Sequence, residues 1–138
     1  MKRVFLDTNV VLDILLEREA WMDDALLVLS LADRGEIEVY CSALSVATAS
    51  YLMERAKMPH DVMIDKLDVL CRICGLTRLD GSVVQQALHA SFDDFEDALQ
   101  YFSARTVHAD VILTRNGKDF EASEIPIQTA TEFLSSLS

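Results

Sequence analysis

The run Val4-Phe5-Leu6-Asp7-Thr8-Asn9-Val10-Val11 puts a carboxylate at the seam between a short apolar strand and a helical pattern. In an open α/β sheet, ligands meet the carboxyl ends of the strands. Asp7 is therefore placed to bind something, with a metal ion as the chemical reading and a helix N-cap as the structural one. A second acidic group, Asp93, Asp94, Glu96 and Asp97, opens a later helical pattern, with Asp94 and Asp93 three and four residues before Asp97. One carboxylate in a first helical turn gains about 0.3–1 kcal/mol from the helix dipole, which accounts for any one of them. Clustered together they repel, and a bound cation would relieve that repulsion. A third polar site follows the strand near Asp110 to Thr114, with Asn116 and Asp119. Oxygen donors with no His or Cys nearby in sequence suit Mg²⁺ or Mn²⁺. Such an ion orients and polarises a phosphodiester and lowers the pKa of an attacking water. Arg115 and Lys118 flank this set and could hold a phosphate, or belong to a solvated loop.

The elements that must position these residues can be read from periodicity. Arg3 to Leu6 is a buried parallel strand. A helix runs from Thr8 to Glu17, and a second from Ala20 to Arg34, stopped by Gly35 as a C-terminal cap. Glu36 to Cys41 is the second strand. Ser42 or Ser45 caps a helix to Ala56, and Pro59 starts another to Ile73. Leu76 to Leu79 is the third strand. Helices follow over Ser82 to Ala90 and Phe92 to Val107, the latter holding the acidic group. Asp110 to Thr114 is the fourth strand, 115–120 a loop or single helical turn, Ile125 to Gln128 a fifth strand and Thr131 to Leu137 a closing helix. Strands alternating with helices predict a parallel sheet with helices on both faces. No linker, repeat or low-complexity stretch interrupts the pattern, so residues 1–138 are expected to form a single domain.

Bulk properties narrow the function. The composition is 51% hydrophobic with four Gly and two Pro, enough for a core and unlike a disordered chain. The formal net charge of −11 has the wrong sign for gripping nucleic acid by charge alone. Divalent cations or a basic partner would have to offset it. Cys71-Arg72-Ile73-Cys74 has C-x-x-C spacing, but no second pair completes a zinc site and the pair sits at a helix end before a strand. Buried thiols in a reducing cytoplasm are expected. No apolar run approaches the ~20 residues of a membrane span, and no signal segment precedes the first strand. A soluble cytoplasmic location with no membrane partner follows. His60, His89 and His108 form no ligand pair. Trp21, Tyr40, Tyr51 and Tyr101 make no aromatic ladder for stacking bases and read as core or rim.

Three motifs together carry a resemblance: Leu6-Asp7-Thr8-Asn9-Val10, Glu96-Asp97-Ala98-Leu99-Gln100, and Ile112-Leu113-Thr114-Arg115-Asn116 with Lys118-Asp119-Phe120. In this order and at this length they resemble a PIN domain, from Arg3 to the final helix. The resemblance implies a three-layer α/β/α fold around a five-stranded parallel sheet, an acidic cluster binding Mg²⁺ or Mn²⁺, and cleavage of RNA. Small stand-alone bacterial members resemble VapC-type toxins of toxin–antitoxin pairs, which makes RNA a substrate and an antitoxin protein a partner, with a homodimer left open. Carried over residue by residue, the first acid is Asp7, the helix acid is Asp97, and Asn116 stands at the acid after the fourth strand. Asn9 and Thr114 take supporting polar positions.

Two positions depart from the family pattern. Its Ser-x-x-Ser/Thr-x-x-Glu helix has Thr48 where the Glu would be, since Glu54 is six residues further on and on another face. Asn116 is an amide. Asp119 could supply missing charge and join Asp7, Asp97 and Asp94 as metal ligands, and the Thr48 hydroxyl could hold a water. The expectation is a metal-dependent ribonuclease, with a catalytically weakened PIN-fold module binding protein or RNA as the alternative. An aspartyl-phosphate phosphatase would need a second carboxylate where Asn9 sits, and a response-regulator receiver would need a double acid and a later Lys that are absent.

Overall fold

The structure is a computed structural model that describes residues 1–137. Its strands are β1 (Arg3–Leu6), β2 (Glu38–Ser42), β3 (Gly75–Thr77), β4 (Val111–Leu113) and β5 (Ile127–Gln128). They form one sheet in the order β3-β2-β1-β4-β5, and every pairing is parallel. Central β1 is covered on both faces, which is why it reads as unbroken apolar sequence rather than alternation. Val4 and Leu6 enter one core and Phe5 the other, as a period of two requires.

The helices are α1 (Thr8–Leu15), α2 (Met22–Asp33), α3 (Ala43–Arg55), α4 (His60–Ile73), α5 (Gly81–Leu88), α6 (Phe95–Arg105) and α7 (Ala130–Ser136). The larger core joins α1, α2, α3, α4 and α7 to one face of the sheet, through Val10, Val28, Ala49, Leu70 and Phe133 among others. On the opposite face, Tyr101 and Ala104 of α6 pack on Phe5 and Ile112, and α5 packs on α6 through Val83, Ala87, Ala98 and Leu99. This is the three-layer α/β/α arrangement expected from the sequence.

Register decides what reaches the functional edge. Leu6 lies opposite Cys41 and Leu113, and Ser42 lies opposite Thr77. The next step along each strand therefore sets Thr77, Ser42, Asp7 and Thr114 in a row across the carboxyl edge, all four buried. The Asp7 amide continues the ladder by donating to the Leu113 carbonyl at 2.9 Å.

Boundaries differ where local caps win over periodicity. The predicted first helix, to Glu17, ends at Leu15, and the second begins at Met22 rather than Ala20, leaving Trp21 in the connection. The helix predicted from Phe92 begins at Phe95, because the Asp94 side chain accepts from the Asp97 amide and fixes the N-cap there. Residues Gly117–Phe120 form a 3-10 turn. Gly35, at φ 76°, ends α2 in the left-handed conformation. Gly75 leaves room for the Tyr40 ring beside it, since a Cβ there would lie 2.6 Å from the ring.

Candidate active site

Asp7 is 5% exposed, and donors meet both of its oxygens. Oδ1 accepts from the Thr8 amide at 2.8 Å and from Gln100 Nε2 at 3.3 Å. Oδ2 accepts from the Thr114 hydroxyl at 2.9 Å and from Asn9 Nδ2 at 3.0 Å. Both sequence readings of Asp7 thus meet in one side chain: it caps α1, and it is held rigidly at the sheet edge. Burial pushes its pKa up, the bonds from Thr114, Thr8 and Gln100 pull it down, and the charge of Asp119 adds to the rise.

Below Asp7 lies a buried hydrogen-bonded network. Gln100 Nε2 also donates to Thr8 Oγ1 at 2.7 Å and to Ser45 Oγ at 2.9 Å, while its Oε1 accepts from Ser42 Oγ at 2.5 Å. Thr8 and Ser45 hydroxyls lie 2.8 Å apart. The network ties the β1–α1 junction, β2, α3 and α6 together, so the amide that holds Asp7 stands one turn along α6 from Asp97. Gln100 is the residue whose role the sequence reading missed. Its signal was there: it lies three residues after Asp97, on the same helical face, inside a run that is otherwise buried.

Asp97 stands at the first turn of α6, partly exposed. Its pKa is raised to about 7, first by burial and then by the charges of Asp94, Asp7, Asp119 and Glu96. Glu96 is raised by burial and by Asp94 and Asp7. The charges of Asp94, Asp7 and Asp119 thus all act on Asp97. These carboxylates do not close into a cage: among the described residues no three His, Cys, Asp or Glu side chains stand together as a ready ligand set. The donors still suit a hard divalent ion that keeps several waters. All are oxygens, and their repulsion is the kind a cation relieves. Asp7 and Asp97 are the carboxylates that could hold it, with the charge of Asp119 acting on both.

The remaining candidates separate. Asn9 donates to Asp7 and to Thr114 Oγ1, the latter at 3.1 Å, and its Oδ1 accepts from the Arg115 amide at 3.3 Å. The Asn116 amide donates to Thr114 Oγ1 at 3.1 Å, and its side chain is exposed at the rim. Thr48 is half-buried, one turn along α3 from Ser45. Lys118 is exposed. Arg115 is engaged elsewhere: its Nε and Nη2 bond Asp13 at 2.9 and 3.1 Å, and its guanidinium lies 3.8 Å from the Trp21 ring centroid.

The profile of the PIN domain family matches residues 3–118 of this sequence. The chain belongs to the PIN domain family. It is 24% identical over 137 residues to Ribonuclease VapC1 of Aquifex aeolicus (strain VF5), across 96% of this chain and 93% of that one. Two solved structures share the fold at 16% identity. One is VapBC2 of Rickettsia felis bound to a DNA fragment from its promoter, with a TM-score of 0.71 over 92% of this chain and 98% of that one. The other is VapC20 of Mycobacterium tuberculosis, a toxin that cleaves the sarcin-ricin loop, with a TM-score of 0.65 over 86% and 94%. In this PIN domain, Asp7 and Thr114 stand at the carboxyl edge of the sheet. Gln100 and the hydroxyls of Thr8, Ser42 and Ser45 form the buried layer beneath it.

Proposed function

We propose that this PIN domain is a Mg²⁺- or Mn²⁺-dependent endoribonuclease, acting as the toxin of a toxin–antitoxin pair in the cytoplasm. The observation that carries the reading is a buried Asp7 held rigidly at the carboxyl edge of the sheet, together with Asp97, on which the charges of Asp94, Asp7, Asp119 and Glu96 all act. Bound there, a divalent ion would polarise the scissile phosphodiester and activate a water. The chain's own contribution is positional. Thr114 and Asn9 fix one oxygen of Asp7, and Thr8 and Gln100 fix the other. Lys118 can seat a phosphate, while Arg115 supports the loop through Asp13. The Thr48 hydroxyl can hold a water where a carboxylate would otherwise stand. An apolar groove of about 500 Å³, lined by Ile14, Leu26, Leu29, Val69 and Ile73, supports the antitoxin part of the reading. It suits the apolar face of a partner helix.

A second reading has an observation of its own. Asp7 already has four donors on its two oxygens, as many as a carboxylate's lone-pair sites, and Thr48 and Asn116 are neutral. A PIN fold that binds RNA or protein with little cleavage fits those facts. The test uses purified chain, structured and unstructured RNAs, Mg²⁺, Mn²⁺ or chelator, and the Asp7→Asn and Asp97→Asn variants. The nuclease reading expects cleavage that needs metal and is lost in both variants. No cleavage of any RNA with either metal would establish the binding reading instead.

A further inference from the structure

Beside the acidic patch lies a second cleft, of about 350 Å³, lined by Trp21, Arg115, Asp24, Thr129, Ala130 and Thr131. Trp21, the chain's only tryptophan, is 47% exposed. One side of its ring is covered by the Arg115 guanidinium, which the buried Asp13 carboxylate holds with two bonds. A cation stacked on an indole and pinned from behind keeps the ring in one place. The ring is thus a fixed platform at the rim rather than a mobile surface side chain.

The charges in this cleft select its occupant. Asp13 pairs with Arg115 and also meets Arg18 at 3.5 Å, and Asp24 accepts from the Thr131 hydroxyl, so the guanidinium lining the cleft already has its counter-charge. Such a cleft offers a phosphate no unpaired cation among its described residues. It accepts a flat, uncharged ring with N–H groups, and aromatic stacking is tolerant of which base it holds. Its position relates it to the acidic patch: the Arg115 amide bonds Asn9, and Asn9 bonds Asp7. The geometry points to a nucleobase subsite, in which one base of the RNA strand stacks on Trp21 next to the scissile position. This inference rests on RNA being the substrate, as proposed above, but it can be tested without cleavage.

The probes are the four ribonucleosides, which carry no phosphate, and ribose 5-phosphate, which carries no base. Binding is read by Trp21 fluorescence and by amide shifts of Thr129, Ala130 and Thr131. Saturable quenching by nucleosides, with shifts in those three residues and none from ribose 5-phosphate, is expected. Trp21→Ala should weaken nucleoside binding at least about fivefold, as expected for loss of one stacking contact, while Trp21→Phe keeps most of it. Thr131→Leu, on the exposed rim, should narrow the cleft and weaken binding with Trp21 intact. The amide spectrum of each variant shows whether it is folded. If the chain cleaves RNA, Trp21→Ala should raise KM more than it lowers kcat. Nucleosides that leave the Trp21 signal unchanged, ribose 5-phosphate shifting the cleft residues, or equal binding by folded Trp21→Ala would each overturn the subsite. A chain that binds nucleosides here but cleaves no RNA would keep the subsite and remove the nuclease reading.

Discussion

At Asp97, burial and the charges of four neighbouring carboxylates act in the same direction. Its pKa of about 7 in the fold compares with an ordinary value of 3.8. The folded chain thus holds this proton more tightly than the unfolded chain. The stabilisation from that proton is complete below the ordinary value and is lost as pH rises toward 7. Asp97→Asn removes the titration. In chelator, the variant should gain stability relative to wild type as pH rises from about 4 to 8, measured by thermal denaturation across that range. A constant difference would show that Asp97 is not under repulsion. Mn²⁺ should shrink the gap at high pH by neutralising the wild-type cluster. Asp7 and Asp97 were legible in the sequence because position alone distinguishes them: one ends a strand, the other opens a helix. Gln100 was legible only as a polar residue one turn after Asp97; its role was not, because a buried amide declares itself through its partners, and Thr8 and the Ser42–Ser45 pair lie far from it in the chain.

At the level of elements, the strands and their order of helices followed from periodicity, whereas helix ends were set by single caps. Asp94 ends the reach of α6 toward Phe92 by bonding the Asp97 amide, and no periodic signal encodes that. The Asp13–Arg115 pair was likewise hidden. Asp13 is a lone acid in the apolar α1 sequence, and its partner lies 102 positions away. That pair joins α1 to the loop after β4, which carries Asn116, Lys118 and Asp119. Asp13 is 2% exposed in its side chain and also meets Arg18 at 3.5 Å. Removing one partner of a buried pair costs more than replacing both, because it strands a desolvated charge. Arg115→Met should therefore destabilise the fold by about 3 kcal/mol, the low end of that range because Arg18 remains. Adding Asp13→Leu should restore much of the loss. Urea denaturation of the two single variants and the double variant gives the coupling. A loss well under about 1 kcal/mol for Arg115→Met would place the pair among exposed ion pairs, and the loop would then need another anchor.

For the whole molecule, a formal charge of −11 must meet a polyanion. Arg115 is held by Asp13, so the loop after β4 presents Lys118 as its exposed cation. Counterion release from one phosphate contact gives a log–log salt slope near −0.7 on a single strand, too shallow to supply affinity. Attraction must come from a divalent ion at the acidic patch and from uncharged contacts such as stacking. The same ion should then stabilise the fold. Hydrated Mn²⁺ bound at about 1 mM, and supplied at about 10 mM, adds roughly 1.4 kcal/mol by mass action. Spread over the unfolding entropy of a chain this long, that is about a 5 °C rise in Tm. The rise should appear in wild type and be absent in Asp7→Asn and Asp97→Asn, at a pH above 7 where Asp97 is ionised. An equal rise in all three proteins would mean that manganese acts on the diffuse negative surface. No rise in any of them would mean that the four donors already on Asp7 satisfy it without a metal, and the patch would then serve binding rather than hydrolysis.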